Sequence, residues 1–324
     1  MAIRLNFEYG KLESPHEDKN TLTYYCSMDT FYKIVESKCI FMNDISAMND
    51  PAEQIVNKFD MSKILYQLYQ AEPFEWNYVY DTFEQYLSDL SQMFNMSRNN
   101  FYNIFYFGLC FSEKQNNLNM WRMYGDDGKG IAITFDKSEL ENVVNSNNNL
   151  KLCKVNYEKD IKSILYSIAK IIFNKIKDLS LSQDFDGLRK YKDEFFQEIN
   201  NLSFMYKTQD YKDEAEIRLV DIQGCDQIIC NVDVKDIHEI NTKKFNTRLK
   251  NGKIILYRNF DISNLKVKNI CFGPTNNYDL TATKIFLAKN KFDVEEIYKS
   301  EIPYRNWGIK WNSNLKHNHI SKML

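Results

Sequence analysis

The spacing of apolar residues along the chain predicts short strands mixed with helices. Compact or alternating apolar runs predict strands over residues 22–26, 39–42, 107–111, 131–135, 150–157, 216–220, 227–229, 254–257, 267–272 and 293–300. Apolar residues that recur three and four positions apart predict helices over residues 27–37, 161–179, 188–205 and 281–290. A further helical, aromatic-rich pattern covers residues 59–105 and is interrupted near Pro73. Ser27 or Asp29 is placed to cap the first helix.

The order of these elements predicts an α+β fold. A mixed, mostly antiparallel sheet is expected to carry helical insertions near residues 59–105 and 159–206. The chain of 324 residues can bury a substantial core, and it contains only ten glycines and five prolines. Because linkers rich in those residues are therefore few, we expect a single domain over residues 1–324.

Composition and charge exclude several classes of protein. Hydrophobic residues make up 44% of the chain, which is typical of a folded protein and not of a disordered one. The net charge of −2 argues against a general nucleic-acid binder, which needs a basic surface. We find no apolar stretch of membrane-spanning length and no apolar signal core at the N-terminus, so we expect a cytoplasmic protein without membrane contact. The nearest cysteines, Cys225 and Cys230, lack a second pair or a nearby histidine, so no metal site is expected.

Candidate chemistry lies between the strands predicted at residues 107–111 and 131–135. On a helical turn Trp121 and Tyr124 would share one face, and Arg122 would point elsewhere. A guanidinium group suits a phosphate or carboxylate ligand, but Arg122 could equally be buried against a structural carboxylate. The glycines that follow, from Gly125 onward, lack the spacing of a phosphate-binding loop and predict a tight turn before the next strand.

A second candidate is Glu214-x-Glu216-x-Arg218, where a strand is predicted to begin. Alternation places Glu216 and Arg218 on one side of that strand. The charges could form a self-satisfied ladder on the surface. They could also form a site in which Glu216 orients a hydroxyl or stabilises a cation while Arg218 holds an anion.

Three weaker candidates stand elsewhere in the chain. Asn49, Asp50 and Glu53 flank Pro51, where they could cap a helix or line the rim of a pocket. Arg305 could face an anion or lie on the surface. The basic run over residues 243–253 is interpreted as a solvated hairpin edge, with RNA contact as the alternative.

The order of short motifs resembles a known family. The motifs are Thr23-Tyr-Tyr-Cys-Ser27, Met48-Asn-Asp-Pro-x-Glu53, Cys110-Phe-Ser-Glu113, Met120-Trp-Arg-x-Tyr124, Gly130-Ile-Ala-Ile-x-Phe135, Glu214-x-Glu216-x-Arg218, Ile270-x-Phe-Gly-Pro274 and Ser300-x-x-Pro-Tyr-Arg305. This series resembles a bacterial family known as domain of unknown function 2971. The resemblance covers roughly residues 22–305, which we regard as the family-like core.

A more distant resemblance links the chain to mono-ADP-ribosyltransferases. Those enzymes have a His or Arg on an early strand, then a strand with a Ser, then a catalytic Glu, often as Glu-x-Glu, entering a later strand. Ser112 and the pair Glu214 and Glu216 match that order, whereas Tyr24-Tyr25 stands where the early His or Arg would be. The resemblance implies that Glu216 stabilises an oxocarbenium-like transition state as nicotinamide leaves NAD.

The resemblance therefore implies an ADP-ribosyltransferase-like, nucleotide-using enzyme of a bacterial toxin or phage-defence system. Its catalytic residues would be Glu216, Ser112 and Tyr25, its cofactor NAD, and its acceptor a protein or RNA. The expected ligand-binding residues are Asn49, Asp50, Glu53, Trp121, Arg122, Tyr124, Glu214, Arg218 and Arg305. One alternative is a non-catalytic module that binds a nucleotide or another anionic small molecule and acts through a protein partner. Another is an interaction scaffold whose charges only pair with one another.

Overall fold

The structure is a computed structural model that describes residues 20–47, 61–76, 82–100, 104–224, 233–239, 242–250 and 252–304. The strands are β1 (Thr21–Cys26), β2 (Cys39–Asp44), β3 (Ile104–Ser112), β4 (Ile131–Asp136), β5 (Leu150–Lys154), β6 (Asn156–Glu158), β7 (Tyr206–Thr208), β8 (Glu216–Gly224), β9 (Asn246–Lys250), β10 (Lys253–Asp261), β11 (Val267–Phe272) and β12 (Val294–Lys299). The α-helices are α1 (Met28–Ser37), α2 (Met61–Ala71), α3 (Phe83–Asn100), α4 (Leu118–Met123), α5 (Lys137–Asn145), α6 (Ile161–Leu181), α7 (Phe185–Ser203) and α8 (Leu280–Lys289).

The predicted α+β fold, with a mixed, mostly antiparallel sheet and helical insertions, is confirmed. Ser27 caps α1 as expected, because its hydroxyl accepts a hydrogen bond from the backbone N–H of Thr30 at 3.2 Å. The sequence analysis missed α5, a short helix in which Leu140, Val143 and Val144 have helical spacing but only Leu140 is buried. The strand expected at residues 227–229 lies outside the described residues.

The chain divides into two compact units that are each built from separate stretches of sequence. Unit 1 contains Met1–Thr23, Phe41–Gln115 and Phe135–Phe260, and unit 2 contains Tyr24–Ile40, Asn116–Thr134 and Asp261–Leu324. The expected single domain over residues 1–324 stays a prediction.

In unit 1 the strands pair in the order β5-β8-β3-β2-β10-β9. The pairings of β3 with β8, β2 with β3, β5 with β8 and β9 with β10 are antiparallel. Four helices of unit 1 bury their apolar faces against one another and form a helical core. They are α2, α3, α6 and α7. Tyr86 joins two of them, because its buried hydroxyl donates a hydrogen bond to the carbonyl of Leu188 at 3.1 Å. Both predicted helical insertions thus contribute to this core.

Unit 2 contains a βαβ unit, in which β11 and β12 pair in parallel and α8 connects them. Asp279 caps α8 by accepting hydrogen bonds from the backbone N–H groups of Thr281 and Ala282. Within unit 2, α1 and α8 meet through aromatic rings: Tyr32 stacks on Phe286 with the ring centroids 4.5 Å apart. Across the described parts of both units, no helix is long and apolar enough to cross a membrane.

Candidate functional site

Strand pairing in unit 1 brings Ser112 opposite Glu216. β3 and β8 are antiparallel, and Ser112 at the end of one is the partner of Glu216 at the start of the other. The Ser112 hydroxyl is buried, donates to the carbonyl of Glu214 at 2.6 Å and accepts from the backbone N–H of Lys114 at 3.1 Å. Ser112 therefore fixes the turn that delivers both glutamates to the start of β8.

A buried group of two cations and two carboxylates surrounds this point, and we call Lys207, Glu214, Glu216 and Arg218 the carboxylate cluster. The Lys207 ammonium lies 2.7 Å from Glu214 Oε2 and 3.1 Å from Glu216 Oε2. Arg218 Nε lies 2.7 Å from Glu216 Oε1, and Arg218 Nη2 lies 3.2 Å from Glu216 Oε2. The cluster thus balances its own charge.

The electrostatics of the cluster keep Glu216 ionised. Burial by itself would raise the pKa of Glu216, but the positive charges of Arg218 and Lys207 outweigh burial and lower that pKa to about 2. For Lys207, burial would lower the pKa, and Glu216 and Glu214 raise it above the usual range instead. A carboxylate in this setting is negative at every physiological pH.

These contacts bear on the two interpretations of Glu214-x-Glu216-x-Arg218. The predicted alternation is confirmed, since Glu216 and Arg218 share one side of β8 and form an ion pair. The cluster is a buried ladder and not a surface one, because the Arg218 side chain is almost wholly inaccessible. Lys207 enters the cluster from β7. The sequence indicates Lys207 only as polar material just upstream of this motif, and its ion pairs with Glu214 and Glu216 come from the fold.

Unit 2 holds the aromatic candidates in what we call the tryptophan cluster, which contains Tyr25, Met120, Trp121, Ala132, Cys271 and Tyr298. Trp121 is fully buried, and its indole N–H donates to Asn116 Oδ1 at 2.8 Å. The Tyr25 ring meets the Trp121 ring edge-on with the centroids 5.0 Å apart. The Tyr25 hydroxyl accepts from the backbone N–H of Asn117 at 3.1 Å, and burial raises the pKa of Tyr25 well above its usual range. Tyr25 is therefore a neutral, packed phenol.

The glycine run forms the predicted tight turn. Asp126, Asp127 and Gly128 all have positive φ, a backbone conformation that asparagine, aspartate and glycine adopt most readily. A Cβ atom on Gly125 would lie 2.5 Å from the Trp121 ring, and one on Gly130 would lie 2.2 Å from the carbonyl oxygen of Cys26. The glycines therefore allow the turn to pack directly against the tryptophan cluster.

Arg122 is exposed, so the alternative in which it is buried against a structural carboxylate is wrong. Its guanidinium carbon lies 5.5 Å from the centroid of the Tyr304 ring, which is a cation–π arrangement. The Tyr304 hydroxyl also bonds Asp127, which raises the pKa of Tyr304. Tyr124 lies at the edge of the tryptophan cluster and is partly buried, as expected from its spacing with Trp121.

The structure therefore assembles the predicted residues into two groups. Ser112, Glu214, Glu216 and Arg218 come together in unit 1, and Tyr25, Trp121, Arg122 and Tyr124 belong to unit 2. Four further candidates, Asn49, Asp50, Glu53 and Arg305, lie outside the described residues.

Comparison with known proteins relates part of the chain to a family. No curated protein and no solved structure is significantly similar to the chain. Residues 120–219 match the model of a family described as protein of unknown function (DUF2971). The matched stretch runs from α4 to β8 and includes both Arg122 and the Glu214-x-Glu216-x-Arg218 motif. This match supports the resemblance of the chain to that family.

Proposed function

We propose that the protein is an ADP-ribosyltransferase-like enzyme that uses NAD, with Glu216 as its key carboxylate. The observation that carries the proposal is the partnership of Ser112 with Glu216 across β3 and β8. This pairing places a serine at the end of one strand beside a Glu-x-Glu segment at the start of another. The distant resemblance implies the same arrangement. The same resemblance favours a cytoplasmic role in a bacterial toxin or phage-defence system.

The charge state of Glu216 suits this chemistry. An ionised carboxylate can accept a hydrogen bond from a ribose hydroxyl and stabilise positive charge on the ribose as nicotinamide leaves. In the structure, Arg218 and Lys207 contact both oxygens of that carboxylate. A ribose hydroxyl would compete with these contacts. Arg218 binds the carboxylate through two nitrogen atoms, whereas Lys207 binds it through one and keeps Glu214 as a second partner, so Lys207 is the partner more readily displaced.

The test is nicotinamide release from NAD, together with transfer of labelled ADP-ribose to a protein and RNA extract. Glu216→Gln should abolish release, because it removes the negative charge while keeping the side-chain shape. Glu141→Gln on the exposed face of α5 is the matched control and should leave release unchanged. If the folded parent protein releases no nicotinamide and NAD does not shift its melting temperature, NAD is not its substrate.

A second candidate function is a non-catalytic module that binds a nucleotide or another anion and acts through a protein partner. The observation that favours it is a difference in accessibility. The Glu216 carboxylate is buried and already pairs with Lys207 and Arg218, whereas the Arg122 side chain is exposed beside Tyr304. A guanidinium next to an aromatic ring can hold a phosphate while a base stacks on the ring.

Nicotinamide release, measured beside ADP-ribose binding, separates the two functions. Under the second function Arg122→Ala should weaken ADP-ribose binding at least tenfold, and no nicotinamide should be released from NAD. Under the first, Glu216→Gln should bind ADP-ribose nearly as well as the parent protein and lose turnover. Binding that survives in Arg122→Ala would contradict the second function.

A further inference from the structure

One face of the unit 1 sheet carries polar residues on β8, β3 and β2. Residues that pair across antiparallel strands point to the same face. Cys110 of β3 pairs with Arg218 of β8, and Gly108 of β3 pairs with Asn43 of β2, so these residues share the face on which Glu216 lies. The pKa of Glu216 also reflects a hydrogen bond from the Cys110 thiol. The face thus extends from the carboxylate cluster towards β2.

Two cations of the edge hairpin reach onto this face. The predicted hairpin is confirmed as β9 and β10, but Arg248 and Lys250 are half-buried, so the hairpin edge is only partly solvated. Arg248 Nη2 donates to Asn43 Oδ1 at 2.5 Å, and its guanidinium carbon lies 5.5 Å from the Phe41 ring centroid. Lys250 Nζ donates to the carbonyl of Ala47 at 3.3 Å.

The positive charge of this pair is not neutralised within the described residues. There, both cations donate to neutral oxygens, and neither forms an ion pair with a carboxylate. The Arg248 Nε atom is buried and has no hydrogen-bond partner in the same part of the chain. Burial lowers the pKa of Lys250, and the neighbouring charge of Arg248 lowers it further. An anion between the two side chains would neutralise their positive charge and could accept a hydrogen bond from Arg248 Nε.

We propose that Arg248 and Lys250 bind a phosphate group of the nucleotide ligand. The identity of the ligand as a nucleotide rests on the proposed function, whereas the phosphate site rests on the hairpin alone. A guanidinium fork beside an ammonium group suits the several oxygens of a phosphate better than a single carboxylate. Arg248 bonds Asn43 of β2, which pairs with Gly108 of β3, so a phosphate here would lie on the same face of the sheet as the key carboxylate.

The experiment measures binding of inorganic pyrophosphate by calorimetry at low salt. The parent protein should bind pyrophosphate, and the double variant Arg248→Ala/Lys250→Ala should bind it at least tenfold more weakly. Lys170→Gln, which removes one exposed positive charge from α6, should bind within twofold of the parent. Arg248→Lys should bind with intermediate affinity, because it keeps the charge and loses the fork.

Pyrophosphate that fails to bind the parent protein, or binds the double variant as well as the parent, would overturn the proposal. If the double variant does not fold, Lys250→Gln decides, since it removes only a half-buried ammonium group, and unchanged binding would again overturn the site. This result is independent of catalysis. Absence of nicotinamide release would refute the NAD enzyme and leave the phosphate site standing, whereas failure of the parent protein to bind pyrophosphate would refute the phosphate site and leave the NAD enzyme standing.

Discussion

The carboxylate cluster of unit 1 and the tryptophan cluster of unit 2 are both buried, but different forces hold them. In the first, two cations and two carboxylates compensate one another, so removing any one leaves an unbalanced buried charge. In the second, Trp121 packs closely on a glycine turn and its N–H bonds a neutral amide. The first should therefore respond to charge and pH, and the second to volume.

Removing Arg218 should have the largest effect. Arg218→Met leaves two buried carboxylates with Lys207 as their cation, and we expect the free energy of unfolding to fall by about 3–5 kcal/mol. The measurement is urea unfolding at neutral pH. The double variant Glu216→Gln/Arg218→Met keeps the pair of Lys207 and Glu214 and should lose less stability than the single variant. An equal or larger loss in the double variant would contradict the charge-balance argument.

Acid should destabilise the carboxylate cluster before it affects the tryptophan cluster. The pKa of Glu216 is lowered from its usual 4.5 to about 2, so its contribution is complete above pH 4.5 and is lost as the pH falls towards 2. The full contribution is about 3 kcal/mol. Unfolding free energies measured across this range should fall less steeply for Glu216→Gln. Tyr25 is neutral throughout, because its pKa is raised, and adds no dependence in acid.

An added methyl group should damage the tryptophan cluster instead. Gly125→Ala places a Cβ 2.5 Å from the Trp121 ring and 3.0 Å from the Trp121 carbonyl oxygen, a backbone atom that cannot move aside cheaply. We expect a loss of about 2–3 kcal/mol from overpacking, measured by thermal or urea unfolding. Gly224→Ala is the matched control, because a Cβ there meets no atom within 4 Å. Similar losses for both variants would contradict the packing argument.

The sequence predicts the fold well wherever periodicity is strong. The apolar spacing of α6 places its buried face correctly, since Ile164, Leu165 and Ile168 all enter the helical core. It fails for α5, whose apolar stripe contains only Leu140, Val143 and Val144 and whose start is marked by the Asp136 cap. Local patterns therefore suffice for elements that build the core.

The site is less predictable, because its contacts join distant parts of the chain. Alternation correctly places Glu216 beside Arg218, two residues apart on one strand. The partnership of Ser112 with Glu216 depends on strand pairing across more than a hundred residues of sequence. The bond from Arg248 to Asn43 spans a still longer separation, so a basic run in the sequence cannot reveal which of its cations turn inward.

The smallest expected effects concern Trp121 and Arg122, which are neighbours in sequence but differ in burial. Trp121→Phe keeps a ring in the tryptophan cluster but loses the bond to Asn116 and part of the indole volume, so we expect a loss of about 2 kcal/mol in urea unfolding. Arg122→Ala should stay within about 0.5 kcal/mol of the parent protein, because its side chain is exposed. A comparable loss for Arg122→Ala would make its contact with Tyr304 structural. A stable Arg122→Ala protein that binds ADP-ribose weakly would instead place the arginine at the ligand, because only a contact made on binding can change affinity without changing stability.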